Sequence, residues 1–456
     1  VLIPGLVLYF APVASLNPNQ RHLLAFFVAT IIALIVQPVP MGASVLTAMT
    51  ALVLTNTLPA PVVLSGFADQ TVWLIFTAFL FSRAVTDTRL GARVAYFFIE
   101  KFGRNALTLG YSISFSDLVL APFVPSDTAR GGGIICPITR SVAQALGSKP
   151  GEPSGRIGGF LVLVAFHTTY LASAMFLTGM AANPLIADFA LKIGHVEMTW
   201  IRWFLGAIVP GSISLLLIPV LLYRLHHPVM TNTQAAMDHA RGELRRMGRL
   251  SIEERRLAVI MLLVMAGWIT SPWHHIPNAF VALAGVSAIL LGRVLTWNDL
   301  LSENKAWDAL IWFAPLIMMA GELNKRGVIE ILSQAMFGYA RLLPWLVGLV
   351  LLAIAYLYIH YGFASMTAHI TALYPGFLAA ALATGAPPLL AAFLLAYFSN
   401  LNAGMTHYGT GSAPVYFGVG YIGQSTWWKI GLIMSAVNVF VWLTVGMVWW
   451  KLIGFW

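Results

Sequence analysis

Apolar runs recur along the whole chain, near 1–14, 22–37, 43–58, 71–85, 105–124, 157–182, 200–223, 257–271, 279–292, 306–320, 342–359, 388–398 and 430–450. The strands of a transmembrane barrel would alternate apolar and polar residues with period two, and these runs do not. Such runs predict helices, and a helix crosses a bilayer with about 20 apolar residues. At that length the chain has room for on the order of ten to fourteen membrane segments. The predicted fold class is an all-α polytopic membrane protein.

Four stretches interrupt this pattern: 125–147, 178–190, 363–386 and 399–423. Each mixes Ser, Thr, Asn, Gly and Pro where hydropathy calls for lipid. Non-helical backbone survives at membrane depth only where protein buries it or where it lines a wet cavity.

Composition narrows the class. Of 456 residues, 59% are hydrophobic and 9% are Asp, Glu, Lys or Arg. A soluble domain carries about 25% charged residues, so too few remain here to cover a water-facing surface. The mean hydropathy of +0.81 agrees. A soluble enzyme, a disordered chain and a disulfide scaffold are excluded, and the recurrence of apolar runs excludes a single-span receptor. Lys plus Arg is 26 and Asp plus Glu is 17, a balance of +9. In a membrane protein this excess belongs in cytoplasmic loops and calls for no nucleic acid. The single cysteine, Cys136, allows no internal disulfide and no multi-cysteine metal site. The chain opens apolar, at VLIPGLVLYFAPV, so no secretory signal is predicted. It lacks an initiator Met, and its natural start is expected to lie upstream. No P-loop, H-E-x-x-H or TVGYG-like filter is present, so no nucleotide, cofactor or metal is expected.

The one long polar stretch divides the chain. Residues 225–256 carry six Arg against four acids and read as a basic cytoplasmic linker. Arg241, Arg245 and Arg249 recur at i,i+4, as on a surface helix against lipid headgroups. A second basic region runs from Arg83 to Arg104. The linker separates an N-terminal half, 1–224, from a C-terminal half, 257–456.

The halves repeat. Residues 121–147 read APFVPSDTARGGGIICPITRSVAQALG, and 360–386 read HYGFASMTAHITALYPGFLAAALATGA. Both carry Ser-x-Thr-Ala and then a basic residue: Ser126-Asp127-Thr128-Ala129-Arg130 and Ser365-Met366-Thr367-Ala368-His369. A proline follows at Pro137 and Pro375. Downstream, Thr178-Gly179 comes 52 residues after Ser126, and Thr410-Gly411 comes 45 after Ser365. Each half therefore predicts a hairpin with a polar tip (about 105–147 and 342–386) and a helix broken at Thr-Gly (about 160–190 and 388–423). Paired interrupted segments point to a transporter binding site.

Short hydroxyl side chains, free backbone N–H groups and a helix start bind a carboxylate without a full charge. Two such tips suit a molecule with a carboxylate at each end. The run Gly131-Gly132-Gly133 lets backbone approach closely. Arg130 and His369 hold the same place in the two tips, and a charge at membrane depth is by default functional. Three readings apply: positive charge where a related protein would bind Na⁺, direct contact with the anion, or a local ion pair such as Arg130 with Asp127. Asp127 itself would repel an anion unless paired or protonated. His407 and His167 are lone histidines near a break, read as structural hydrogen bonds or proton carriers. Trp427, Trp428, Trp449, Trp450 and Trp456 read as interface belts.

At these motifs the sequence resembles the divalent anion/sodium symporter family, and within it the bacterial dicarboxylate and tricarboxylate exchangers. The likeness lies in PSDTARGGGIICPI, YGFASMTAHITALYPGF and FSNLNAGMTHYGTGSAPVYFGVGYI, and spans roughly residue 70 to the C-terminus. It implies inverted repeats, two re-entrant hairpins, discontinuous helices, and a scaffold with an elevator-type transport domain in a homodimer of the cell membrane. Its usual tip is Ser-Asn-Thr; here Asp127 and Met366 stand for Asn. The resemblance assigns Ser126, Thr128, Ser365 and Thr367 to substrate; Asp127 and Met366 at the tips and Thr178, Gly179, Asn402, Thr410 and Gly411 at the breaks complete the candidate substrate site, with His407 and Asn400 as further candidates. Sodium-coupled members carry a small polar residue where Arg130 and His369 stand, so the expected activity is sodium-independent exchange of dicarboxylates or tricarboxylates. Permanent charge at an empty site would oppose its return, and Arg130→Thr is expected to cripple exchange in a folded protein. The alternatives are a Na⁺-coupled carboxylate symporter on the same fold and an intramembrane enzyme using His407 or His369 as a base.

Overall fold

The structure, a computed structural model, describes residues 2–11, 15–151, 155–228, 232–337 and 343–456. The ends of the predicted segment 1–14, residue 342 at the start of the predicted second hairpin, and linker residues 229–231 lie outside the described residues.

Every named element among the described residues is a helix, apart from an isolated bridge between Asn105 and Asn232. Seven helices are long and apolar enough to cross a membrane, and the bent pair Ala60–Ala68 and Gln70–Asp87 raises this to eight. Shorter apolar helices, such as Met41–Leu54 and Asn278–Leu291, account for further predicted runs. Leu54, Leu263, Leu291 and Phe440 are widely exposed on the outside. In water such a surface would be an aggregation liability; against lipid it is the expected covering. The chain is a multi-span membrane protein.

The centre is built from α1 (Leu90–Phe102), α2 (Ala106–Leu120), α3 (Cys136–Ala145), α4 (Gly155–Met175), α5 (Asn183–Gly194), α6 (Trp200–Leu225), α7 (Gln234–Met247), α8 (Met366–Ala383), α9 (Pro388–Leu401) and α10 (Ala413–Gly418). Helix α4 packs on α2, α3, α6 and α9. It is buried from Ile157 to Met175, its polar residues His167, Thr168, Thr169 and Ser173 included, as a mainly apolar helix at the centre of the molecule must be. Helix α9 is its counterpart, buried from Leu390 to Leu401. Both stop at polar breaks. Helix α4 ends at Met175 and the chain resumes helix at Asn183; α9 ends at Leu401 and, after a short 3₁₀ turn, resumes at Ala413.

Two expectations are corrected. The stretch 363–386 is mostly regular: α8 is continuous over Met366–Ala383 with Pro375 inside it, and only Phe363–Ser365 and Thr384–Ala386 at its two ends are non-helical. Ser365 caps this helix, its Oγ accepting from the Ala368 N–H, so a tip rich in Ser and Thr opens a helix. In the linker, α7 stops at Met247 because Gly248 takes φ 67°, and Arg249 falls outside the helix. The arginine stripe is therefore two residues long. The helix turns Ala236 and Ala240, both fully buried, inward and packs on α1 and α3. Arg93 of α1 grips Glu254 with two bonds, 2.7 and 3.1 Å, and reaches the Gly248 and Met247 carbonyls.

Candidate functional site

The first tip begins where α2 ends at Leu120. Six non-helical residues follow, and Ser126 Oγ accepts from the Ala129 N–H at 3.2 Å. Thr128–Ile135 then form a widened π-type turn that runs into α3. Such turns recur at functional sites because they re-aim a helix without ending it. Gly131 is required here: a Cβ would stand 2.5 Å from a Thr169 methyl on α4.

Arg130 is fully buried and every side-chain nitrogen is used. Nε donates to Asp117 Oδ1 at 2.6 Å. Nη1 donates to the Val124 and Gly179 carbonyls, both at 2.8 Å. Nη2 donates to the Thr169 carbonyl at 2.9 Å and to Ser173 Oγ at 2.8 Å. Carbonyls from the tip, from α4 and from the first break thus converge on one guanidinium. Asp117 Oδ2 accepts from Thr169 Oγ1 at 2.6 Å, and Thr169 lies 3.1 Å from the Tyr416 hydroxyl of α10.

This corrects the expected electrostatics. The partner of Arg130 is Asp117, not Asp127, so the charge at the first tip is compensated. A buried ion pair with its remaining donors satisfied is a neutral unit, in contrast to an isolated buried charge.

Both breaks meet the first tip. Thr178 Oγ1 donates to the Pro122 carbonyl at 2.8 Å, and Gly179 supplies its carbonyl to Arg130. From the second break, Thr410 and Ser412 donate their hydroxyls to Asp127 Oδ2. Gly411 faces Thr128 so closely that a Cβ would stand 2.3 Å from Thr128 Oγ1. The packing of the two halves is reciprocal: the turn after the first tip packs on α10, beyond the second break, and α8 packs on α5, beyond the first.

The second tip is differently furnished. Ser365 and Thr367 are half-buried, whereas Met366 is buried among apolar neighbours. His369 is fully buried, ringed by Tyr356, His360 and Phe363 at centroid distances of 4.4, 4.9 and 5.1 Å. Among the described residues, neither of its ring nitrogens has a hydrogen-bond partner. Instead His360 meets the second break, its Nε2–H donating to the Gly409 carbonyl at 2.7 Å. Arg130 and His369 align in sequence, but at the second break it is His360, not His369, that holds a break carbonyl as Arg130 does at the first. Among the described residues, Asn402 has no partner at either amide atom, and Thr406 none at its hydroxyl. Asn400 Nδ2 donates to Asn183 Oδ1 at 2.8 Å, linking α9 to the start of α5.

His407 Nδ1 accepts from the Trp428 indole at 3.0 Å, and its ring lies 4.8 Å from that of Phe417. His167 is bonded to Tyr170 at 2.7 Å. A cavity of about 690 Å³ opens beside the first break, lined by Leu177, Pro184, Asp188 and Arg202 among others. Another of about 440 Å³ lies between Gly132, Arg140 and Val415. Sequence reasoning missed Asp117 and His360. Asp117 carried a readable signal, an acid inside an apolar run, which is by default a functional candidate.

Residues 1–456 match the sodium:sulfate symporter transmembrane region. The chain is 47% identical to the putative malate transporter YflS of Bacillus subtilis (strain 168), over 99% of this chain and 95% of that protein. It is 43% identical to the chloroplastic dicarboxylate transporter 1 of Arabidopsis thaliana, over 99% of this chain and 82% of the relative. In structure it is similar to the YdaH transporter of Alcanivorax borkumensis, with a TM-score of 0.59 over 86% of this chain and 87% of that one, at 16% identity. That likeness speaks to the fold alone. The chain belongs to the sodium:sulfate symporter transmembrane family, and it is a membrane transporter rather than an enzyme.

Proposed function

We propose that this chain exchanges dicarboxylates of the succinate, malate, fumarate and 2-oxoglutarate class, with citrate as a further candidate, across the bacterial cytoplasmic membrane without sodium. The observation that carries the reading is the Arg130 guanidinium among the Val124, Thr169 and Gly179 carbonyls. Converging carbonyls of a tip and a helix break are the ligands a coupling cation needs. Here they are satisfied by a cation that cannot leave. The names of the relatives, malate and dicarboxylate transporters, support the substrate class.

In this reading the two tips and two breaks form one site, with Ser126, Thr128, Ser365 and Thr367 as hydroxyl donors to the two carboxylates. Thr178, Gly179, Asn402, Thr410 and Gly411 shape it. The hairpins are re-entrant, the halves are inverted repeats, and the site-bearing part moves as an elevator against a scaffold in a homodimer. Exchange follows from the unsatisfied donors of an empty site. These half-buried hydroxyls would lose their water on crossing empty, and a polar group left without a partner in a dry interior costs about 1–3 kcal/mol. A loaded site crosses with its donors satisfied, and no departing ion resets an empty one. A sodium-coupled reading draws on the unpartnered Asn402 and Thr406 at the second break.

Counterflow in proteoliposomes tests this. Labelled succinate inside should exit when succinate, malate, fumarate, 2-oxoglutarate or citrate is added outside, at equal rates with and without Na⁺. Failure of every carboxylate to elicit exit overturns the substrate class; a strict Na⁺ requirement overturns the exchange mode.

A further inference from the structure

Asp127 is a carboxylate at the tip where the proposed site receives an anion, and it makes no ion pair among the described residues. Arg130, three residues on, is committed to Asp117. Around the tip, Tyr416 of α10 contacts Thr169, His167 of α4 is bonded to Tyr170, and His360 donates to the carbonyl of Gly409, next to Thr410. Three ion pairs take up charges on α1 and on Gln70–Asp87: Arg93 with Glu254, Glu100 with Arg241, Arg83 with Asp87. Among the described residues, no Arg, Lys or His forms an ion pair with Asp127 that would offset a dianion beside it. Two negative groups that share a low-dielectric site cannot both stay ionised without a large cost. Asp127 is also held in place, because Oδ2 accepts from Thr410 and Ser412. Its Oδ1 makes no hydrogen bond among the described residues.

Resting on the dicarboxylate reading, we infer that Asp127 is a proton-binding site, and that the protein takes up one proton on Asp127 Oδ1 with each dicarboxylate it binds. The proton comes from solvent on the loading side and leaves with the substrate on the other. A neutral carboxyl presents an O–H donor where an ionised one presents only acceptors. It does for the anion what the Asn amide of the usual Ser-Asn-Thr tip would do. Because each leg of the exchange carries the same proton, one-for-one exchange of like substrates moves no net charge.

Succinate binding to the purified wild-type protein, in weak buffer near pH 7.5 with a pH indicator, reads this directly. The expected result is close to one proton taken up per succinate bound, with apparent affinity falling about tenfold per pH unit on the alkaline side. Asp127→Asn should bind succinate with no proton uptake and no such slope, whereas His369→Gln should keep the uptake. Succinate bound by the wild type without proton uptake overturns the inference alone, as does uptake that survives in Asp127→Asn or is lost in His369→Gln. Absence of any succinate binding by the wild type overturns the dicarboxylate reading beneath it, and the inference with it.

Discussion

Arg130 Nε lies 2.6 Å from Asp117 Oδ1, and neither side chain is exposed at all. The pair joins the end of α2 to the first tip, and its remaining donors tie that tip to α4 and to the first break. Removing one member strands the other in a dry interior.

Breaking such a pair costs about 3–5 kcal/mol. Arg130→Gln and Asp117→Asn are each expected to lower the unfolding temperature in detergent substantially. The double variant should lose less than the sum, since no lone charge remains. Strictly additive losses would contradict the pairing. The same geometry revises the expectation for Arg130→Thr: it should lose stability as well as exchange.

Gly411→Ala should damage the site through packing. The new methyl would meet Thr128 Oγ1 of the opposite half. Overpacking of this kind costs about 1–3 kcal/mol. Exchange should fall at least tenfold, and Thr128→Ala in the same background should recover stability without recovering exchange. Wild-type exchange in Gly411→Ala would separate the second break from the first tip.

His407→Gln should be mild. The residue loses one bond to the Trp428 indole, worth about 1 kcal/mol, and among the described residues makes no hydrogen bond to either tip. Exchange rates should stay within about fivefold of wild type, the factor that about 1 kcal/mol for one lost hydrogen bond corresponds to, and keep the same pH profile. A large loss of exchange would bring His407 into the transport cycle.

Arg93→Lys keeps a charge but loses the planar fork that grips Glu254 and reaches the Gly248 and Met247 carbonyls. The substitution should cost about 1–2 kcal/mol. Limited proteolysis between Met247 and Ser251 should quicken, with exchange retained. Unchanged cleavage would mean that α7 is docked mainly by its buried Ala236 and Ala240.

The parts of the site that could be read from sequence are those that break a local rule. Ser, Thr and Gly inside apolar runs located both tips, and Thr178-Gly179 and Thr410-Gly411 located both gaps in the helices. What the pattern could not carry is which side chain reaches which carbonyl. Arg130 and His369 align because their motifs align, yet the second break is met by His360, on the other flank of its tip. Asp117 sits in the apolar run that precedes the tip, and only the bend after Leu120 brings it to Arg130. The regularity of α8 was hidden for a related reason. Its Ser, Thr and Pro residues read as a break, but Ser365 acts as a cap and Pro375 is accommodated inside the helix.

The most direct test of the central claim is net uptake against exchange in proteoliposomes. Labelled malate is offered in Na⁺-free medium to vesicles loaded with unlabelled malate and to vesicles loaded with none. A guanidinium fixed among the carbonyls of tip and break predicts rapid label entry into the loaded vesicles, negligible entry into the empty ones, and no change when a Na⁺ gradient is imposed. Accumulation in empty vesicles driven by that gradient would contradict it.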